Sequence, residues 1–222
     1  MRIKELTIYT SGLNDLKEFY SDKIGIRMSR ESENSFALQT LSTMITFNVS
    51  EHIQDPFYHF AFNIPEDQFK EAKEWTKKRV ELIKLNGEDE FDFKSWNAHS
   101  IYFYDPAGNI IELIARHNLK NNTQEIFSDK SLLNVSEIGC PVHDVKDFYD
   151  VLKNKFNVPE FSGDMKTFTA AGDDEGLFII VPDGRKWFPD CPDAKIFPMT
   201  VKIDSNKIEE LEFEDLPYKI FS

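Results

Sequence analysis

At 222 residues the chain can bury a substantial core and sits between one and two typical domains in length. An apolar fraction of 41% and a charged fraction of 29% exclude disorder, no apolar run reaches the roughly 20 residues of a bilayer span, and a net charge of −13 disfavours nucleic-acid phosphates and anionic membranes. Cys140 and Cys191 are too few and too far apart for a disulfide scaffold or zinc ribbon, and strand-like sequence begins at once with no signal-peptide pattern, so a cytoplasmic protein with reduced thiols is expected.

Residues 3–10 alternate in the manner of a strand, with Glu5, Thr7 and Tyr9 on one face and Leu6 and Ile8 on the other. Leu13, Leu16, Phe19, Tyr20 and Ile24 then form a helical stripe that stops near Gly25. Residues 36–41 and 43–49 read as two strands. After a break at Asp55-Pro56 the unit returns as a strand over 58–64 and a helix opened by Pro65-Glu66-Asp67, with Phe69, Ala72 and Trp75 as its stripe.

Residues 100–116 close this second unit as two strands joined by Asp105-Pro106-Ala107-Gly108, which supplies a side-chain acceptor, a preset φ and a residue tolerant of positive φ. Glu112 stands between Ile110-Ile111 and Leu113-Ile114. A carboxylate on a strand apolar on both faces is costly unless a metal ion, a buried base or a hydrogen-bonded ligand answers it. The plainer reading is an edge strand whose Glu112 reaches solvent.

The polar stretch 116–130 is the linker candidate and divides the chain into 1–117 and 131–222, joined by 118–130. Beyond it Asp144-Val145-Lys146-Asp147-Phe148-Tyr149 echoes Asp15-Leu16-Lys17-Glu18-Phe19-Tyr20, as duplicated supersecondary units would. Strands over 167–171 and 177–181 and the turn Pro182-Asp183-Gly184 complete a third unit. A fourth begins over 195–203 and is too short for a full helix and meander. The fold class is α+β.

The run Asp105-Pro106-Ala107-Gly108-Asn109-Ile110-Ile111-Glu112-Leu113 resembles the terminal hairpin of the vicinal oxygen chelate superfamily, which includes glyoxalase I, extradiol ring-cleaving dioxygenases, fosfomycin-resistance enzymes and bleomycin-binding proteins. The resemblance implies repeated βαβββ modules paired into cup-shaped mixed sheets. Two modules in 1–117 would form a glyoxalase-like domain, and 131–222 would hold one module plus an abbreviated one.

It also implies a divalent metal ion. The superfamily's metalloenzymes use the glutamate at the position of Glu112 as a ligand, the first strand of the second module offers His59, and that of the first module offers Glu5 where His or Gln is usual. Thr46 stands where glyoxalase-like members place a further Glu. Glu5, His59 and Glu112 are thus the expected metal set, an oxygen-rich group suited to Mn(II), Fe(II), Zn(II), Ni(II) or Mg(II). Thr7 and Tyr102 match positions where fosfomycin-resistance enzymes contact substrate, although strand packing with locally satisfied hydroxyls is the plainer account of both. His99 can be read as an acid or base or as a surface histidine.

Glu137 falls at the same first-strand position in the third module, but its counterpart in the fourth is Pro198, which has no side-chain ligand, so the second half is expected to close or dimerise the first cup. Arg185, Lys186 and Trp187 beside the last turn read either as an anion contact or as exposed hairpin residues. The expected function is a metal-dependent lyase, isomerase or dioxygenase of this superfamily, acting on a small substrate with adjacent oxygens. The competing reading is a metal-free small-molecule-binding protein of the bleomycin-resistance type, with no nucleic-acid or membrane partner in either case and a homodimer open to both.

Overall fold

Alternation sets the first strand. In the computed structural model, which describes residues 1–50, 52–205 and 207–222, β1 (Ile3–Thr10) buries Leu6 and Ile8 and leaves Glu5, Thr7 and Tyr9 half-buried on its other face. Helix α1 (Leu13–Glu18) runs into a π-helical turn over Phe19–Ile24, which Gly25 ends at a left-handed φ of 93°. β2 (Met28–Glu31), β3 (Ser35–Gln39) and β4 (Met44–Val49) complete the first module.

The second module comprises β5 (His59–Ile64), α2 (Phe69–Lys77), β6 (Phe91–Phe93), β7 (Ala98–Tyr104) and β8 (Ile110–Arg116). The third is β9 (Asn134–Val142), α3 (Val145–Phe156), β10 (Glu160–Gly163), β11 (Thr169–Asp173) and β12 (Gly176–Pro182). Asp144 caps α3 by accepting the Asp147 N–H at 2.8 Å, and Asn157 ends it at a left-handed φ of 58°. The fourth keeps β13 (Met199–Ile203), β14 (Glu210–Glu212) and β15 (Tyr218–Phe221) and, among the described residues, has no helix. The stretch read as a linker lies along α2, with Asn121 Oδ1 accepting the Glu66 N–H at 2.9 Å and Phe127 packed edge-on against Trp75.

The strands form two curled mixed sheets, ordered β14-β15-β13-β1-β4-β3-β2 and β10-β11-β12-β9-β5-β8-β7-β6. The first module therefore joins the fourth through antiparallel β1 and β13, with Leu6 opposite Val201, and the second joins the third through antiparallel β5 and β9, with Ala61 opposite Glu137. This corrects the expectation that the first two modules share a cup. The physical reason is that alternation fixes which face of a strand is buried and leaves the partner of its edge unspecified.

The convex faces of both sheets meet in one core, where Phe60, Phe62 and Leu113 of the second sheet join Leu6, Ile8 and Phe47 of the first. Residues of the opposite parity line the concave face of the second sheet. His59, Ala61 and Asn63 on β5, Glu112 and Arg116 on β8, and Glu137 and Gly139 on β9 all point that way.

Candidate metal centre

The hairpin turn and β5 hold His59 from behind. Asn109 Oδ1 accepts the Tyr58 N–H at 2.8 Å, and the Ile110 N–H donates to the Tyr58 carbonyl at 2.8 Å. The His59 ring then turns its Nδ1 to the Ile110 carbonyl at 3.1 Å. A carbonyl only accepts, so Nδ1 carries the hydrogen and the neutral ring presents its Nε2 lone pair to the cup. Nε2 faces Glu112 Oε2 at 3.7 Å and Glu137 Oε2 at 3.9 Å.

One ligand atom from each of His59, Glu112 and Glu137 lies within 4.8 Å of the others, on three neighbouring strands, and all three residues are buried. Arg116, which has no exposed surface, donates Nη2 to Glu137 Oε1 and leaves Oε2 turned to His59. The Tyr102 hydroxyl lies beside the Glu112 carboxylate. Burial, and then the charge of Glu137, push Glu112 up to about 8 against the pull of His59, Tyr102 and Arg116. Burial opposes the charged form of His59, but Glu137 and Glu112 outweigh it and raise its pKa.

Two carboxylates facing one another out of water repel, and a single buried arginine neutralises one of them. A divalent cation answers the remaining charge, and one imidazole with two carboxylates is a donor set for such an ion. The outer contacts are also those of a ligand set, since the Ile110 carbonyl fixes the histidine tautomer and Arg116 orients Glu137. The residues therefore fit a metal ion.

The group opens into a cavity of about 320 Å³. Its walls are Phe93, Trp96, Phe168, Ile179, Trp187 and Phe188, with Arg185 the one Lys or Arg among the lining residues. The Trp187 ring lies 5.1 Å from His59 and seats on Gly139, where a Cβ would come within 2.8 Å of it. Trp96 bridges the two rims of the sheet, its Nε1 donating to Ser162 Oγ at 3.1 Å.

The structure brings His59, Glu112 and Tyr102 together with Glu137, Arg185 and Trp187 around one cavity and keeps Glu5, Thr7 and His99 apart from them. Glu5 lies on the first sheet, half-exposed and bridged by Lys202 Nζ at 3.0 Å, and is outside the ligand group. Thr7 is on that same sheet, opposite Thr200 and beside Thr46. Both are corrections with one cause: β1 pairs with β13, so its Glu5 and Thr7 face a different cup from His59. Glu137 takes the third place. Its ligand-like position was legible, but its partners are His59 and Glu112 of the second module, while Pro198 lends only its carbonyl, to the Tyr58 hydroxyl at 2.7 Å. His99 is on the convex side, its Nδ1 2.8 Å from His117 Nε2, with His117 Nδ1 3.2 Å from Glu66.

No family model matches the chain. Among curated proteins it is similar to the metallothiol transferase FosB of Staphylococcus epidermidis, 29% identical over 117 residues that cover 50% of this chain and 79% of the relative. Among solved structures a provisionally named dioxygenase from Bacillus subtilis superposes over 93% of this chain and 71% of its own, with a TM-score of 0.64 and 13% identity. Glyoxalase I from Zea mays superposes over 93% and 75%, with a TM-score of 0.56 and 13% identity. With the repeated module and the two curled sheets, these likenesses give the chain the fold of the vicinal oxygen chelate superfamily and support the resemblance read from its hairpin.

Proposed function

We infer that this chain is a metal-dependent enzyme that acts on a small substrate with two adjacent oxygens, bound by a divalent ion on His59, Glu112 and Glu137. The observation that carries this reading is the buried imidazole Nε2 facing two carboxylates at the floor of a cavity. A bound divalent ion supplies Lewis acidity toward a substrate oxygen.

The chain's own residues supply the rest. Ile110 holds the tautomer of His59, Arg116 holds Glu137, and aromatic walls exclude water and strengthen every charge interaction within. Tyr102, buried beside Glu112, can donate its hydroxyl hydrogen in a hydrogen bond to a substrate oxygen while keeping the proton, because burial and the neighbouring carboxylates raise its pKa. The FosB likeness makes thiol transfer the first activity to assay, and the glyoxalase fold makes isomerisation the second.

The test is calorimetric titration of chelator-treated protein with Mn(II), Ni(II) and Zn(II). One ion per chain is expected, with the site lost in His59→Ala, Glu112→Ala and Glu137→Ala and kept in Glu5→Ala. If none of these ions binds, the chain is instead a metal-free binding protein.

A further inference from the structure

Arg185 is the cavity's unused cation. It follows the turn after β12, half-buried, with its guanidinium 5.5 Å from the centre of the Phe168 ring. Among the described residues its side chain makes one long hydrogen bond, 3.4 Å from Nη1 to the Lys186 carbonyl, and the acid whose charge reaches it is Asp164. Asp164 is already engaged, accepting from the backbone of Lys166, Thr167 and Phe168 and from the Thr167 hydroxyl. Lys186 next to it differs, since it is exposed and has an ion-pair partner in Asp190 at 3.3 Å.

A guanidinium stripped of part of its water, set over an aromatic ring and left without a bidentate acceptor is built for an oxyanion. Phe168 immediately precedes β11, which stands two strands from β9 and Glu137. Glu137 is level with Leu177 and Gly172, so Phe168 also lies four residues along the sheet from it, and the two offsets together separate their backbones by on the order of 15 Å. Everything named between them on the cavity wall is apolar or aromatic.

We propose that Arg185 recognises an anionic group on the substrate, so that the substrate is an elongated molecule with an adjacent oxygen pair at one end, an apolar or aromatic middle, and a carboxylate or phosphate-like group at the other. This rests on the metal-centre reading for the first end only. It also resolves a charge conflict, because a chain of net charge −13 repels an anion unless a local cation receives it.

The test uses two probes of equal shape, 4-(2-carboxyethyl)benzohydroxamate and its neutral isostere 4-(2-carbamoylethyl)benzohydroxamate. Each is titrated calorimetrically into protein loaded with whichever of Mn(II), Ni(II) or Zn(II) binds stoichiometrically, and into metal-free protein. The acid is expected to bind at least tenfold more tightly than the amide. Arg185→Gln should abolish that preference while leaving the affinity for the amide within about twofold, and Arg185→Lys should keep part of it. Equal affinities in the wild type, failure of the acid to bind, or a preference that survives Arg185→Gln overturns the proposal. If metal loading strengthens neither probe, the metal-centre reading has failed separately, and the acid-against-amide comparison in metal-free protein still decides the role of Arg185.

Discussion

Asp105 shows how much one turn residue carries. Its Oδ1 accepts the N–H groups of Ala107 and Asn109 at 3.0 Å each, and its Oδ2 accepts from Asn109 Nδ2 at 2.7 Å and from the Tyr20 hydroxyl at 2.8 Å. Asn109 in turn fixes the backbone of Tyr58, next to His59. Burial raises Asp105 from 3.8 to about 6 despite these donors. A raised carboxyl binds its proton more tightly folded than unfolded, so its contribution is complete below about pH 4 and is lost as pH rises through about 6, a change of about 3 kcal/mol. Asp105→Asn does not titrate. Chemical denaturation between pH 4 and 7 is therefore expected to show the variant gaining on the wild type by up to that amount, and parallel curves would refute the assignment. At this scale the sequence was partly informative: the apolar neighbours of Glu112 left it open between burial and an edge reaching solvent, and the structure buries it, while His59 and Tyr102 stand at cup-facing positions. Arg116, which ends β8 fully buried, reads as the start of the linker because nothing local distinguishes a buried arginine from an exposed one at a strand end.

Among the elements, β9 is the one whose packing the site depends on most. It carries Glu137, and two residues on it has Gly139, where a Cβ would meet Trp187 at 2.8 Å and His59 Cβ at 3.3 Å. Gly139→Ala must therefore move either the tryptophan or the histidine. Overpacking of this kind costs about 1–3 kcal/mol, and the titration that defines the metal site is expected to show affinity reduced at least tenfold, whereas Glu5→Ala on the other sheet leaves it unchanged. Most elements were legible from their period and turn residues. The tight hairpin at 105–109 and the stripes of α2 and α3 follow the pattern closely, and the fourth module is short for lack of residues. The π-helical turn at Phe19–Ile24 was not legible, since its side-chain stripe reads as ordinary helix.

For the whole molecule, each sheet takes strands from both sides of 118–130. That pairing was hidden in the sequence, and with it the grouping of Glu137 with His59 and Glu112, because a strand's alternation says nothing of its neighbour across the edge. Residues 1–117 alone would leave the edges of β1 and β5 open and would lack Glu137. Expressed separately, that half is expected to show no cooperative thermal transition by circular dichroism, while the full chain melts in one; an independently folded half would contradict the interlocked sheets. The same interlocking brings the two ends of the chain together. Ile3 lies opposite Ile203 and Phe221 beside Lys202, so the start of β1 and the end of β15 lie at the same end of the first sheet's strands, two strand spacings or about 10 Å apart. About five residues would span that gap. A circular permutant joined there and opened within 118–130 would run its modules in the order three, four, one, two, with every strand pair intact, so the connectivity of this protein is separable from its architecture.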